Sequence, residues 1–164
     1  MRRLLLTELC EVDVVLDTNV LSHAENTGAI QRASAVAVLD WMRNSQVRWV
    51  LDDQGKAAPD PKTSLLFQEY RATLSPQSAS LRLLIEFLSY QRVVFAPRPG
   101  QAIRASIRRL IPGNVNDRAV LGAAHGTSDR VLVSNDTTDF SDAVRDAVWG
   151  ELEVNIITSA EAAA

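Results

Sequence analysis

An α/β layer fold, with a mostly parallel sheet covered on both faces, is the architecture that this 164-residue sequence predicts. Two observations carry the prediction. Short β-branched apolar runs alternate along the chain with stretches of helical periodicity, the order of a repeated strand–helix unit. The strand-like runs are also continuously apolar rather than alternating, so neither face of the sheet is left to water. A third observation sets the scale: 46% apolar residues in 164 fill one core, which predicts a single domain spanning residues 1–164.

The elements follow in order. Residues 1–6 hold a short basic and apolar start that Thr7, Glu8, Glu11 and Asp13 interrupt before a cleavable hydrophobic region forms, so residues 1–11 read as an N-terminal arm. Residues 12–16 form a buried strand that runs into a helix cap at Asp17-Thr18-Asn19. Ala33, Val36, Ala37, Leu39, Trp41 and Met42 recur at helical spacing within residues 31–44. A second strand at 47–51 leads through Asp52-Asp53-Gln54-Gly55 into a loop with Pro59 and Pro61. Leu65, Leu66, Tyr70 and Leu74 mark one face of a helix that Pro76 closes, with Ser75 or Ser78 able to cap the next, at 80–90. A third strand at 93–96 ends at Pro97, Pro99 and Gly100. Helices at 101–110 and 116–125 follow, separated by Pro112-Gly113. A fourth strand at 131–134, a helix at 143–149 and a fifth strand at 154–157 complete the order, and residues 159–164 read as a frayed tail.

Composition narrows the chemistry. One cysteine, Cys10, excludes an internal disulfide and a thiolate zinc cage, and reads as a buried small residue. Two histidines, His23 and His125, are too few for a His-rich metal site. Any bound metal must therefore be held by carboxylates, which selects a hard ion such as Mg²⁺ or Mn²⁺. No apolar stretch approaches the ~20 residues of a membrane span, so a cytoplasmic protein with no membrane partner is expected. The net charge of −3 argues against a nucleic-acid partner. The argument weakens once the candidate ligand acids are set aside, because Arg98, Arg104, Arg108, Arg109 and Arg118 cluster around one of them.

In parallel sheets, ligands bind beyond the carboxyl ends of the strands. Asp17 and Asp136 each follow a strand and so share that edge. Asp117 opens a helix behind Asn114 and Asn116, and Glu69 lies within a helix whose opposite face is apolar. Singly, each acid has a plain structural explanation as a cap, a dipole partner, a solvated helix position or a turn. Together they are costly unless a cation lies between them. A divalent ion removes that cost, activates water and stabilises a phosphate oxygen, the requirements of phosphodiester hydrolysis.

The residues also resemble a known family. Val14-Val15-Leu16-Asp17-Thr18-Asn19-Val20-Leu21 resembles the opening motif of PIN-domain ribonucleases. Phe67-Gln68-Glu69-Tyr70 is similar to their second-acid helix, and Asn116-Asp117-Arg118-Ala119-Val120-Leu121-Gly122-Ala123-Ala124 to their third. Leu132-Val133-Ser134-Asn135-Asp136-Thr137-Thr138-Asp139-Phe140 resembles the fourth-acid segment. The match spans residues 14–157 in family order. It implies a three-layer α/β/α sandwich with a five-stranded parallel sheet, and Mg²⁺- or Mn²⁺-dependent cleavage of RNA. Small members are often toxins of toxin–antitoxin pairs, so the resemblance also implies an antitoxin protein and a homodimer.

On this reading Asp17, Glu69, Asp117 and Asp136 are metal ligands. Asp139 competes with Asp136, whose nearness to the strand end favours it. Asn19 and Ser134 are expected to orient Asp17 and the substrate phosphate, and Arg118 to contact a phosphate or a surface acid. Asp52 and Asp53 share the sheet edge; Asp53 either reaches the site or builds a turn with Gly55, the turn being the favoured role. Residues 55–63 read as an inserted loop, and Trp41, Trp49 and Trp149 as core or interface rather than base-stacking platforms. His125 reads as structural. The alternative is a catalytically silent PIN-like module that binds RNA or a protein. A phosphorylated receiver-like domain fits poorly, because the only lysines, Lys56 and Lys62, lie in the central loop.

Overall fold

The computed structural model describes residues 5–164. Its chain order is α1 (Leu6–Leu9), β1 (Asp13–Leu16), α2 (Thr18–Glu25), α3 (Arg32–Asn44), β2 (Arg48–Asp52), α4 (Leu65–Thr73), α5 (Ala79–Ser89), β3 (Val93–Ala96), α6 (Gln101–Leu110), α7 (Val115–His125), β4 (Val131–Val133), α8 (Asp142–Leu152), β5 (Asn155–Ile157) and α9 (Ser159–Ala162). The strands form one sheet in the order β3-β2-β1-β4-β5, and every pairing is parallel. Val14, Val15, Leu16, Val50, Leu51, Leu132, Val133 and Ile156 are all buried, the reason these strands carry no polar alternation. Among the described residues no helix is long and apolar enough to cross a membrane.

The topology chooses the functional edge. From β1 the chain moves outward through β2 to β3, carried by α2 to α5. It then returns through α6 and α7 to lay β4 on the other side of β1. The strand order therefore reverses between β1 and β4, and the crevice at their carboxyl ends is where such sheets bind ligands. The pairing of Leu16 with Val133 puts Asp17 and Ser134 side by side at that crevice. The helices α3, α4 and α5, each packed against α2, form one helical layer, while α7, packed against β1, β2, β3 and β4 and joined by α6 and α8, forms the other. The three-layer expectation holds, and the sheet is wholly parallel.

Two expectations need correction. The supposed frayed tail contains a helical turn: Thr158 Oγ1 accepts from Glu161 N at 3.1 Å, and Glu161 Oε1 accepts from Thr158 N at 3.1 Å. This reciprocal cap was present in the sequence as Thr158-x-x-Glu161, and it buries Ser159 and Ala162. Of the N-terminal arm, residues 1–4 lie outside the described residues, but Leu6–Leu9 form a turn that buries Leu6 at 1% exposure. Trp149 is 40% exposed on α8, whereas Trp49 is in the core, edge-on to Tyr70 and Phe87. The loop at 55–63 ends in a 3-10 turn, Pro61–Thr63, which delivers Ser64 as the N-cap of α4. Ser78, not Ser75, caps α5.

Candidate metal centre

Asp17 caps α2, and its carboxylate does more than cap. Oδ1 accepts from Thr18 N at 2.9 Å, while Oδ2 accepts from Asn19 Nδ2 at 3.0 Å and Ser134 Oγ at 2.7 Å. Ser134 Oγ accepts in turn from Asp136 N at 3.2 Å, and Asn19 Oδ1 accepts from Asn135 N at 2.8 Å. The first acid and the fourth-acid segment are thereby locked together across the β1–β4 crevice. Asn19 and Ser134 thus both hydrogen-bond the Asp17 carboxylate.

Glu69 reaches the same edge because α4 is held at two points. Asp52, at the end of β2, accepts from Ser64 Oγ at 2.7 Å, Leu66 N at 2.9 Å and Leu65 N at 3.0 Å, fixing the start of the helix. One turn on, the buried Tyr70 donates to Leu16 O at 2.5 Å and accepts from Trp49 Nε1 at 3.3 Å. Anchoring Tyr70 beneath β1 brings its neighbour Glu69 near enough to Asp17 for their charges to interact. Asp52 is thus an anchor of α4. Asp53 Oδ1 accepts from Gly55 N at 2.7 Å and Arg98 N at 2.9 Å, the expected Asp–Gly turn with a staple to the segment after β3 added. Gly55 takes φ +73°, a conformation that favours glycine.

On the opposite layer, Asn114 Oδ1 caps α7 by accepting from Asn116 N at 2.9 Å and Asp117 N at 3.2 Å. Gly122 lets the helix press close, since a Cβ there would lie 3.3 Å from Pro99. Asp117 is 6% exposed, with Oδ2 buried and without a hydrogen-bond partner. Glu69 Oε2 is buried and unpartnered in the same way.

Carboxylate oxygens of Asp117, Asp136 and Asp139 lie within 4.8 Å of one another. Asp136 and Asp139 therefore both reach the cluster. Asp136 Oδ1 also accepts from Thr138 N at 2.9 Å and Asp139 N at 3.0 Å, so this oxygen is engaged in its own turn. Asp139 lies near enough to the Asp117 carboxyl to hydrogen-bond it when Asp117 is protonated. Asp17 and Glu69 are close enough to repel each other, and Asp17 is close enough to repel Asp117 and Asp136. Burial, opposed by the Ser134 hydroxyl and reinforced by Glu69, pushes Asp17 up to about 6. Burial, the bond to Asp139 and the charge of Asp17 push Asp117 up to about 8. Crowded, underbonded and hard-oxygen donors of this kind fit a hard divalent cation.

These shifts have a measurable consequence. The unfolded chain releases both protons near 3.8, whereas the folded chain keeps them to about 6 and about 8. The folded state therefore binds more protons across that window, and stability falls as pH rises through it. The Asp17 shift alone corresponds to about 3 kcal/mol. In EDTA the melting temperature is expected to fall by roughly 5–10 °C between about pH 5 and about pH 8, and Mn²⁺ to restore it at the higher pH. Asp117→Asn should flatten the upper part of that slope. A metal-free melting temperature that rises over the same interval, unmoved by Mn²⁺, would contradict the reading.

Arg145 is a residue that the sequence reasoning passed over. It lies on α8 at 2% exposure and donates to the carbonyls of Phe140 at 2.6 Å, Asp136 at 3.1 Å, Ser134 at 3.2 Å and Ile156 at 3.4 Å. It thus braces the segment that presents Asp136 and Asp139. The available signal was a lone arginine on the apolar side of an otherwise ordinary helix, which by itself reads as snorkelling to solvent. Asn135 was likewise missed. Its side chain meets His23 Nδ1 at 3.0 Å and accepts from Ser159 N at 2.9 Å, tying the C-terminal turn to the crevice. Arg118 donates to Pro112 O at 3.2 Å and has no carboxylate at ion-pair distance among the described residues. His125 is pushed down by burial and by Arg130, which favours its neutral form. Cys10 is buried, with its thiol pushed up by that burial.

No family model and no curated protein matches the sequence. Among solved structures, the chain is similar to one described as the crystal structure of VapBC2 from Rickettsia felis bound to a DNA fragment from their promoter. The similarity is 15% in sequence identity over 89% of this chain and 98% of that one, with a TM-score of 0.47. A likeness of that degree carries no statement about what this chain does.

Proposed function

We propose that this chain is a metal-dependent endoribonuclease of the PIN type, a single nuclease domain in which Asp17, Glu69, Asp117 and Asp136 hold Mg²⁺ or Mn²⁺ and Asp139 shares the site. The observation that carries the proposal is the cluster of the Asp117, Asp136 and Asp139 carboxylates, with Asp17 near enough to interact with Glu69, Asp117 and Asp136, and with buried oxygens of Glu69 and Asp117 left unbonded. A divalent ion bound there supplies Lewis-acid activation of water and of the scissile phosphate. The protein's own part is positional. Ser134 and Asn19 hold the Asp17 carboxylate in one orientation, Tyr70 fixes the height of Glu69, and Arg145 fixes the segment of Asp136 and Asp139. A bound ion would compete with the proton on Asp117, so activity should rise with pH through the upper part of the window.

The resemblance of the motifs further suggests a toxin that an antitoxin protein holds inactive, and a homodimer. The purified protein, freed of any bound partner, is expected to cleave single-stranded RNA internally with Mn²⁺ or Mg²⁺ and to stop in EDTA. Inertness on a broad RNA panel, with Mn²⁺ binding absent by calorimetry, would leave only a silent binding module.

A further inference from the structure

Beside the acid cluster runs a cleft of about 190 Å³, lined among others by Arg98, Arg104, Arg108 and Arg118. Asp52 is the acidic residue of that lining, and its carboxylate is already occupied by the start of α4. None of the four arginines has a carboxylate at ion-pair distance among the described residues, whereas Arg43, Arg109 and Arg145 do. In a chain of net charge −3, four such guanidinium groups converge on this one cleft. Arg104 and Arg118 are held in place by the carbonyls of Pro99 at 2.7 Å and Pro112 at 3.2 Å, and Arg98 and Arg108 are exposed.

The cleft and two of the acids are built on the same two helices, α4 and α7. Leu65, which lines the cleft, precedes Glu69 by about one turn of α4. Arg118 follows Asp117 on α7, and α4 packs on α7. We infer that the cleft binds a backbone phosphate of the substrate strand next to the one being cleaved, so that the arginines hold the strand independently of the metal. This rests on the nuclease reading. A phosphodiester strand is the ligand that both a cation-loaded acid cluster and a row of guanidiniums accept. An acidic peptide running along the same two helices would meet the carboxylates with nothing to offer them.

The test is binding of a fluorescein-labelled oligouridylate to the full chain in EDTA, followed by anisotropy over a range of salt. Arg98→Gln/Arg108→Gln alters exposed side chains, and its melting temperature verifies the fold; Arg71→Gln, elsewhere on α4, is the control. The double variant is expected to bind about tenfold more weakly or worse. Its log–log salt slope should be shallower by roughly 0.7 for each phosphate that is no longer neutralised, with the control unchanged. Equal affinity and slope in wild type and double variant would overturn the inference, as would no binding by the wild type. Competition by oligoglutamate as strong as by unlabelled RNA would instead make the cleft a site for an acidic protein segment. Cleavage by a wild type whose binding ignores the arginines would sink the cleft alone. Arginine-dependent binding without metal-dependent cleavage would sink the nuclease reading alone.

Discussion

Asp17→Asn is expected to lower metal-dependent RNA cleavage by about three orders of magnitude, the equivalent of ~4 kcal/mol of transition-state stabilisation. The variant should nevertheless melt higher than the wild type in EDTA at neutral pH. Both effects have one cause. Asp17 sits where burial and the charges of Glu69 and Asp136 oppose its ionisation, so the position is strained for the fold and suited to a cation. Asparagine keeps the acceptor that caps Thr18 but removes the charge, and its amide no longer offers Oδ2 to Ser134 and Asn19. Single-turnover cleavage at saturating Mn²⁺, with melting curves on the same preparations, measures both. A variant that cleaves within a factor of about ten of the wild type would remove Asp17 from the centre of the mechanism.

Arg145→Met is expected to cost about 3–4 kcal/mol of stability, or ~10 °C in melting temperature, because several buried carbonyls lose a charged donor together. Methionine fills much of the volume, so the loss reports hydrogen bonding more than a cavity. Arg145→Lys should recover only part of it, since one ammonium cannot match the planar fork that serves Phe140, Asp136, Ser134 and Ile156. Urea denaturation gives the stability. Calorimetric titration with Mn²⁺, well below the melting temperature, gives the second readout: affinity should fall in the folded variant because the Asp136–Asp139 segment is no longer braced. A loss below about 1 kcal/mol with unaltered Mn²⁺ affinity would show that the brace is dispensable.

Much of the fold was legible because its signals are local. Continuous apolar runs at β1, β2 and β4 could be sheltered only inside a parallel sheet, and the acids after β1 and β4 had to share an edge once the strands were parallel. The capping turn at Thr158 and Glu161 was equally local, and it was overlooked because a short terminal run of alanines suggests fraying. Asp53 kept the turn role that its Asp–Gly neighbourhood implied.

What the tertiary structure alone decided has a different physical origin. Whether Glu69 faces solvent or Asp17 depends on Tyr70 meeting Leu16 across 54 positions of sequence, a contact that helical periodicity cannot encode. That Asp52 anchors a helix rather than joining the acids depends on where α4 begins. Both Asp136 and Asp139 reach Asp117 because the turn after β4 curls back under Arg145, which belongs to a later helix. By itself the sequence determined that Asp17 and Asp136 follow neighbouring parallel strands and so share the sheet's carboxyl edge. Long-range packing decided which way they point, because side-chain direction is set by the element a helix leans on rather than by spacing along it.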